Sequence, residues 1–138
     1  NITYKEIDMA LSAEKAIESI HTMHVLIERI FSGVNNDEDL ALLINHFSEN
    51  FEMVGAAGKK FKFEEVKQLF ANNQGKMPDI KIEIYDEEII SQNEQSIVLT
   101  YTEKHTKETG VLIRRSCALI EEIQGKMLWR FLQETFTA

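Results

Sequence analysis

From Asp79 to the C-terminus, apolar residues recur at every second position and only short turn signals interrupt them. That period belongs to half-buried strands, and so long a stretch of it demands a sheet of long neighbouring strands. Ile80-Lys81-Ile82-Glu83-Ile84 alternates cleanly, then the phase slips across Asp86-Glu87-Glu88 before Ile89-Ile90. A bulge or sharp bend in a long strand produces such a slip. Three further strands are expected at about 95–106, 110–123 and 126–136, with turns at Asn93-Glu94, Lys107-Glu108 and Gln124-Gly125. The four strands make an antiparallel meander.

Upstream the period is helical. Ile17, Ile20, Ile27 and Phe31, with Ala13, Met23 and Ile30 alongside, predict a helix from about Ser12 to Ser32 that stops at Gly33. Asn36 or Asp37 then caps a short second helix with Leu40, Leu43, Ile44 and Phe47 facing inward. Phe51–Val54 and Lys60–Phe63 flank Gly55-Ala56-Ala57-Gly58 as a hairpin, and Glu64-Glu65 open a third helix through Val66, Leu69 and Phe70. The order is ααββαββββ, with no internal repeat, linker or low-complexity tract. Residues 1–138 are therefore expected to form one α+β domain, its helices packed in the hollow of a strongly bent sheet.

Two-residue turns set a register for the last three strands. The turn at Lys107-Glu108 places Tyr101 opposite Arg114 and Leu99 opposite Ser116. The turn at Gln124-Gly125 places Ser116 opposite Gln133, Ala118 opposite Phe131 and Ile120 opposite Trp129. Paired residues point the same way. One face then collects Ile97, Leu99, Tyr101, Glu103, Leu112, Arg114, Ser116, Ala118, Ile120, Trp129, Phe131 and Gln133. It carries the aromatics and is expected to meet the helices. The reverse face takes Glu134 together with Val98, Ile113, Cys117, Leu119, Leu128 and Leu132, and the last six form an apolar patch large enough to imply a homodimer packed through it.

Composition narrows the partners. A hydrophobic share of 43% supports a packed core rather than disorder. No apolar run approaches the ~20 residues that span a bilayer. Asn1 to Ala13 carries Lys5, Glu6 and Asp8 without an apolar h-region, so it does not read as a signal peptide; the chain begins at Asn1 rather than Met, which leaves a removed leader open. A net charge of −8, with Lys59-Lys60 and Arg114-Arg115 the only basic pairs, argues against binding nucleic acid or anionic membrane. The lone Cys117 makes no internal disulfide, and a cytoplasmic setting is the expectation.

The stretch Phe47-Ser48-Glu49-Asn50-Phe51-Glu52-Met53-Val54-Gly55, followed by Gly58, resembles the nuclear transport factor 2-like, or cone-fold, superfamily. Arg114-Arg115-Ser116 and Trp129-Arg130-Phe131-Leu132-Gln133 are similar to the R-x-S/T and W-x-x-x-H stretches of its SnoaL-like and small uncharacterised branches. The resemblance covers about residues 10–138 and implies a conical sheet, a deep apolar pocket and frequent dimerisation. It does not imply one activity, because the superfamily holds isomerases, dehydratases, cyclases and non-catalytic binders. Aligned on Phe47 and Gly58, Gly55 stands where ketosteroid isomerases keep their Asp base, and Gln133 stands where many relatives have His. Isomerisation through that Asp has no proton acceptor here.

The candidate site follows from the concave face. Tyr101, Glu103, Arg114, Ser116, Trp129, Phe131 and Gln133 are the expected ligand contacts, with Arg114 suited to a carboxylate and Tyr101 and Gln133 to hydrogen bonding. Trp129, Phe131, Tyr101 and Leu112 supply apolar lining, which core packing alone also explains. His24, on the inward stripe of the first helix, is the one catalytic candidate, against a plain hydrogen-bonded core histidine. His21, His24 and Glu28 have helical spacing for metal ligands but no second cluster to close a site, so neither a metal nor a cofactor is expected. His46 and His105, at element ends, are assigned no role. Three functions remain: a pocket protein for a small apolar ligand, a lyase or isomerase using His24 with Tyr101 or Arg114, and a dimeric interaction module.

Overall fold

A computed structural model describes residues 12–34 and 36–137, so the leader question, which turns on residues up to 11, lies outside the described residues. The first helix, α1, runs Ala13–Ser32. The Ser12 side chain accepts from the Lys15 N–H at its start, and Gly33 closes it in the left-handed conformation at φ 82°. Its buried stripe is Ala16, Ile20, Met23, His24, Leu26, Ile27, Ile30 and Phe31. Among the described residues, no helix is long and apolar enough to cross a membrane.

Helix α2 spans Asp39–Ile44 and ends before Phe47. The expected inward Phe47 is instead the first residue of β1, Phe47–Val54. The cause is tertiary: the Trp129 N–H takes the His46 carbonyl at 2.8 Å, and Phe47 pairs with Trp129 in a parallel ladder. Strand β2 is Lys60–Lys62, and α3, Phe63–Asn72, starts where the Lys62 N–H meets the Glu65 carboxylate at 3.0 Å. Strands β3 (Lys81–Gln92), β4 (Ser96–Lys107), β5 (Gly110–Ile123) and β6 (Lys126–Phe136) follow. The sheet order is β2-β1-β6-β5-β4-β3, mixed through the β1–β6 pair rather than wholly antiparallel. Helices and sheet close on one core that includes Ile20, Ile30, Leu43, Phe51, Leu99, Ile120 and Trp129.

The sheet carries several register shifts, among them one at Ile90 of β3 and one in the β1–β6 pair, and two bulges set which way the strand faces point. One is the expected slip in β3, where the register shifts between Tyr85 and Glu88 and Asp86 adopts φ 57°. The other lies in β6. Ile120 faces Trp129, yet the next β5 residue, Leu119, faces Phe131, so Arg130 is the extra residue. Past Arg130 every side chain of β6 exchanges faces.

Candidate functional site

The β4–β5 turn sits one residue later than expected, so Tyr101 opposes Ser116, Leu99 opposes Ala118 and Glu103 opposes Arg114. A shift of the pairing by two residues preserves parity, and Ile97, Leu99, Tyr101, Glu103, Ser116, Ala118, Ile120 and Trp129 all lie buried. The bulge corrects the rest. Phe131 is only half-buried and Gln133 is exposed, both turned from the helices, while Leu132 and Glu134, assigned to the reverse face, are buried. Leu112 is 50% exposed near the start of β5 and is not part of the cavity wall described below.

Helix α1, β1, α3 and the inner faces of β4, β5 and β6 enclose a cavity of about 110 Å³. Met23, Ile27, Phe31, Phe47, Phe70 and Leu132 give it apolar walls, and Trp129 stands among them. His24, Glu103, His105, Arg114 and Glu134 bring charge to the same cavity. The His24 ring is packed against Tyr101 at 5.6 Å and Trp129 at 6.5 Å, centroid to centroid.

The polar cluster has a definite proton arrangement. His24 Nδ1 donates to the Ile20 carbonyl at 2.7 Å, and its Nε2 lies 3.1 Å from Glu103 Oε1. Both partners only accept, so the imidazole needs both of its protons. Burial works against that charge, but the Glu103 carboxylate and the two hydrogen bonds outweigh it and raise the His24 pKa. The other Glu103 oxygen accepts from His105 Nε2. Burial would raise the Glu103 pKa, yet the charge of His24 and the hydrogen bonds from both histidines hold it well below the usual carboxylate range.

Glu134 is the opposite case. Burial, then the negative charge of Glu103, push its pKa up to about 7, and only Arg114 and His24 oppose them by charge. Arg114 Nη1 reaches Glu134 Oε1 at a long 3.5 Å. Two carboxyls sharing a buried site divide in this way, one ionised and one holding a proton that it donates to the other. Burial and the same two carboxylates raise the Tyr101 pKa well above 10. Among the described residues, Arg114 Nε and Trp129 Nε1 are buried without a hydrogen-bond partner, and Tyr101 Oη and Ser116 Oγ have none beyond each other.

Of the residues expected at the site, the cavity wall holds His24, Glu103, Arg114 and Trp129; Tyr101 and Ser116 lie buried on the same face of the sheet. Glu103 and Arg114 do not neutralise each other: Glu103 serves the two histidines and Arg114 serves Glu134. His105, which carried no expected role, is 13% exposed and bound to Glu103. His21, His24 and Glu28 diverge to Glu87, Glu103 and the Ile82 N–H. Glu134 was missed because its side of β6 depends on the bulge. The only trace in the sequence is Leu128-Trp129-Arg130-Phe131-Leu132, whose apolar residues occupy both parities.

A bent sheet wrapped around α1, with a walled cavity between them, defines a cone-shaped α+β fold. The sequence matches no protein-family model, and no curated protein matches it. Solved structures do match. An NTF2-like protein of unknown function from Pseudomonas aeruginosa is 29% identical, superimposes with a TM-score of 0.86, and covers 89% of this chain and 98% of its own. An NTF2-like protein from Cytophaga hutchinsonii has a TM-score of 0.71 at 11% identity, over 92% of this chain and 100% of its own. A cystatin-like-fold protein of unknown function from Nostoc punctiforme has a TM-score of 0.66 at 15% identity, over 92% of this chain and 94% of its own. The chain is a member of the NTF2-like superfamily.

Proposed function

We propose that the protein binds a small, largely apolar molecule in the cavity beside Trp129. The observation that carries this is the pairing of apolar walls with one cluster of convergent ionisable groups, the usual makeup of a ligand site. A volume of about 110 Å³ suits a short branched chain or one small ring. Thermal-shift measurements on small ring compounds test the reading. A rise in melting midpoint that disappears in Leu132→Phe, which fills the cavity, supports it; no rise for any compound refutes it.

A second reading, a lyase or isomerase, is favoured by Glu134, whose carboxyl titrates near about 7, where a general acid or base is most effective. On this reading proton transfer belongs to Glu134 rather than His24, because both His24 nitrogens already donate to acceptors and the raised pKa keeps the ring protonated, with no lone pair free to take a proton. Exchange of the α-hydrogens of a small ketone, followed by NMR and abolished in Glu134→Gln, is the expected signature. Exchange at the uncatalysed rate in the wild type rejects it.

We also infer a homodimer through the outer sheet face. The bulge exchanges Leu132 for Phe131 on that face, directly opposite Leu119, so the face keeps its half-buried apolar surface. A monomer at micromolar concentration in sedimentation velocity rules it out. A cytoplasmic setting is consistent with the free thiol of Cys117.

A further inference from the structure

The charges facing Glu134 can be counted element by element. Helix α1 contributes His24, β4 contributes Glu103 and His105, and β5 contributes Arg114, while α3 and β1 offer the apolar Val66, Leu69, Phe70, Phe47 and Met53. His24 and Glu103 form an ion pair, and Glu103 also accepts from His105. While Glu134 keeps its proton, Arg114 is left as a cation with no anion of its own, 16% exposed at the cavity wall. A charge withdrawn this far from water favours a counter-charge.

The unpartnered atoms make the same demand. Arg114 Nε and Trp129 Nε1 belong to residues of the cavity wall, are buried, and can only donate. A ligand that completes the site must therefore supply acceptor oxygens.

Resting on the pocket reading above, we propose that the ligand is a small monocarboxylate with a compact apolar body, its carboxylate held by Arg114 in place of the long contact to Glu134. The body occupies the space between Ile27, Phe31, Phe70 and Leu132, room for about five carbons. Binding is tied to the proton on Glu134. Once ionised, Glu134 supplies the counter-charge to Arg114 itself and repels the incoming carboxylate. Since Glu134 loses its proton near about 7, affinity falls as the solution passes from mildly acid to mildly alkaline.

Calorimetry with three ring compounds of one shape tests this: cyclopentanecarboxylate, cyclopentylmethanol and cyclopentylmethylamine. At about pH 6 the acid is expected to bind at least about tenfold more tightly than the alcohol, with the amine weakest. Raising the solution to about pH 8 should weaken the acid about tenfold, one proton per ligand, and leave the alcohol unchanged. Glu134→Gln, neutral and nearly isosteric, should lose most of that pH dependence. Arg114→Gln should show no preference for the acid over the alcohol; if that variant does not fold, the pH dependence of Glu134→Gln carries the test. An alcohol that binds as tightly as the acid, or the same pH dependence in wild type and Glu134→Gln, overturns the proposal while leaving the pocket reading intact. If none of the three binds, the pocket reading falls with it.

Discussion

Replacing Glu134 by Gln should make the protein more stable in mildly alkaline solution. In the folded chain the Glu134 carboxyl keeps its proton up to about 7, against an ordinary value of 4.5. At ~1.4 kcal/mol per pH unit, that gap means a loss of about 3 kcal/mol of wild-type stability between about pH 4.5 and 7. The sign follows from the direction: a raised carboxyl pKa makes the ionised form the unfavourable one in the fold, so the loss comes as pH rises and is complete above the folded pKa. Gln cannot ionise, and its amide can still donate to Glu103 as the protonated acid does. Variant and wild type should therefore be nearly equal at about pH 4.5, and the variant ahead by up to about 3 kcal/mol at about pH 8, or about 10 °C in melting midpoint. Urea unfolding followed by circular dichroism across that range, with Trp129 fluorescence as second probe, measures the difference. A difference that stays constant with pH, or a variant that loses ground as pH rises, refutes the reasoning.

Other substitutions probe the surrounding structure. His24→Ala strips the buried Glu103 carboxylate of its cationic partner and leaves it His105 alone; a destabilisation of about 3–5 kcal/mol is expected near neutral pH, and a loss below about 1 kcal/mol in urea melts contradicts the ion pair. Gly33→Ala forces a side chain onto φ 82° and brings its Cβ to 3.1 Å from the Gly75 backbone, so a loss of about 1–3 kcal/mol is expected by the same melts. Glu28→Ala frees the Ile82 N–H on edge strand β3, now held at 2.6 Å; it should cost about 1–3 kcal/mol and increase aggregation in size-exclusion chromatography.

The two bulges show what a sequence can and cannot reveal of such a site. The one in β3 is visible because Ile80, Ile82 and Ile84 share one parity and Ile89 takes the other, with three acidic residues between. The one in β6 is hidden because apolar residues run through Leu128, Trp129, Phe131 and Leu132 on both parities, a pattern that fits either phase past Arg130. The β4–β5 turn was misplaced without consequence, since moving it by one residue shifts the pairing by two and keeps every side chain on its face. Hence Tyr101, Glu103, Arg114 and Ser116 could be placed on the concave face from sequence, whereas Glu134 could not. The parallel β1–β6 pair was equally hidden, because it joins segments far apart in the chain and turns a residue of helical spacing, Phe47, into the start of a strand.

The proton-linked chemistry proposed for the cavity depends on a neutral acid beside an ionised one. Carbon-13 NMR of a protein labelled at its glutamate carboxyls observes that pair directly. One resonance should titrate near about 7 and vanish in Glu134→Gln, while the Glu103 signal stays ionised well below the ordinary carboxylate range. If every glutamate titrates at the ordinary value of 4.5, the Glu134 carboxyl does not hold its proton beside Glu103 and the account of the site is wrong.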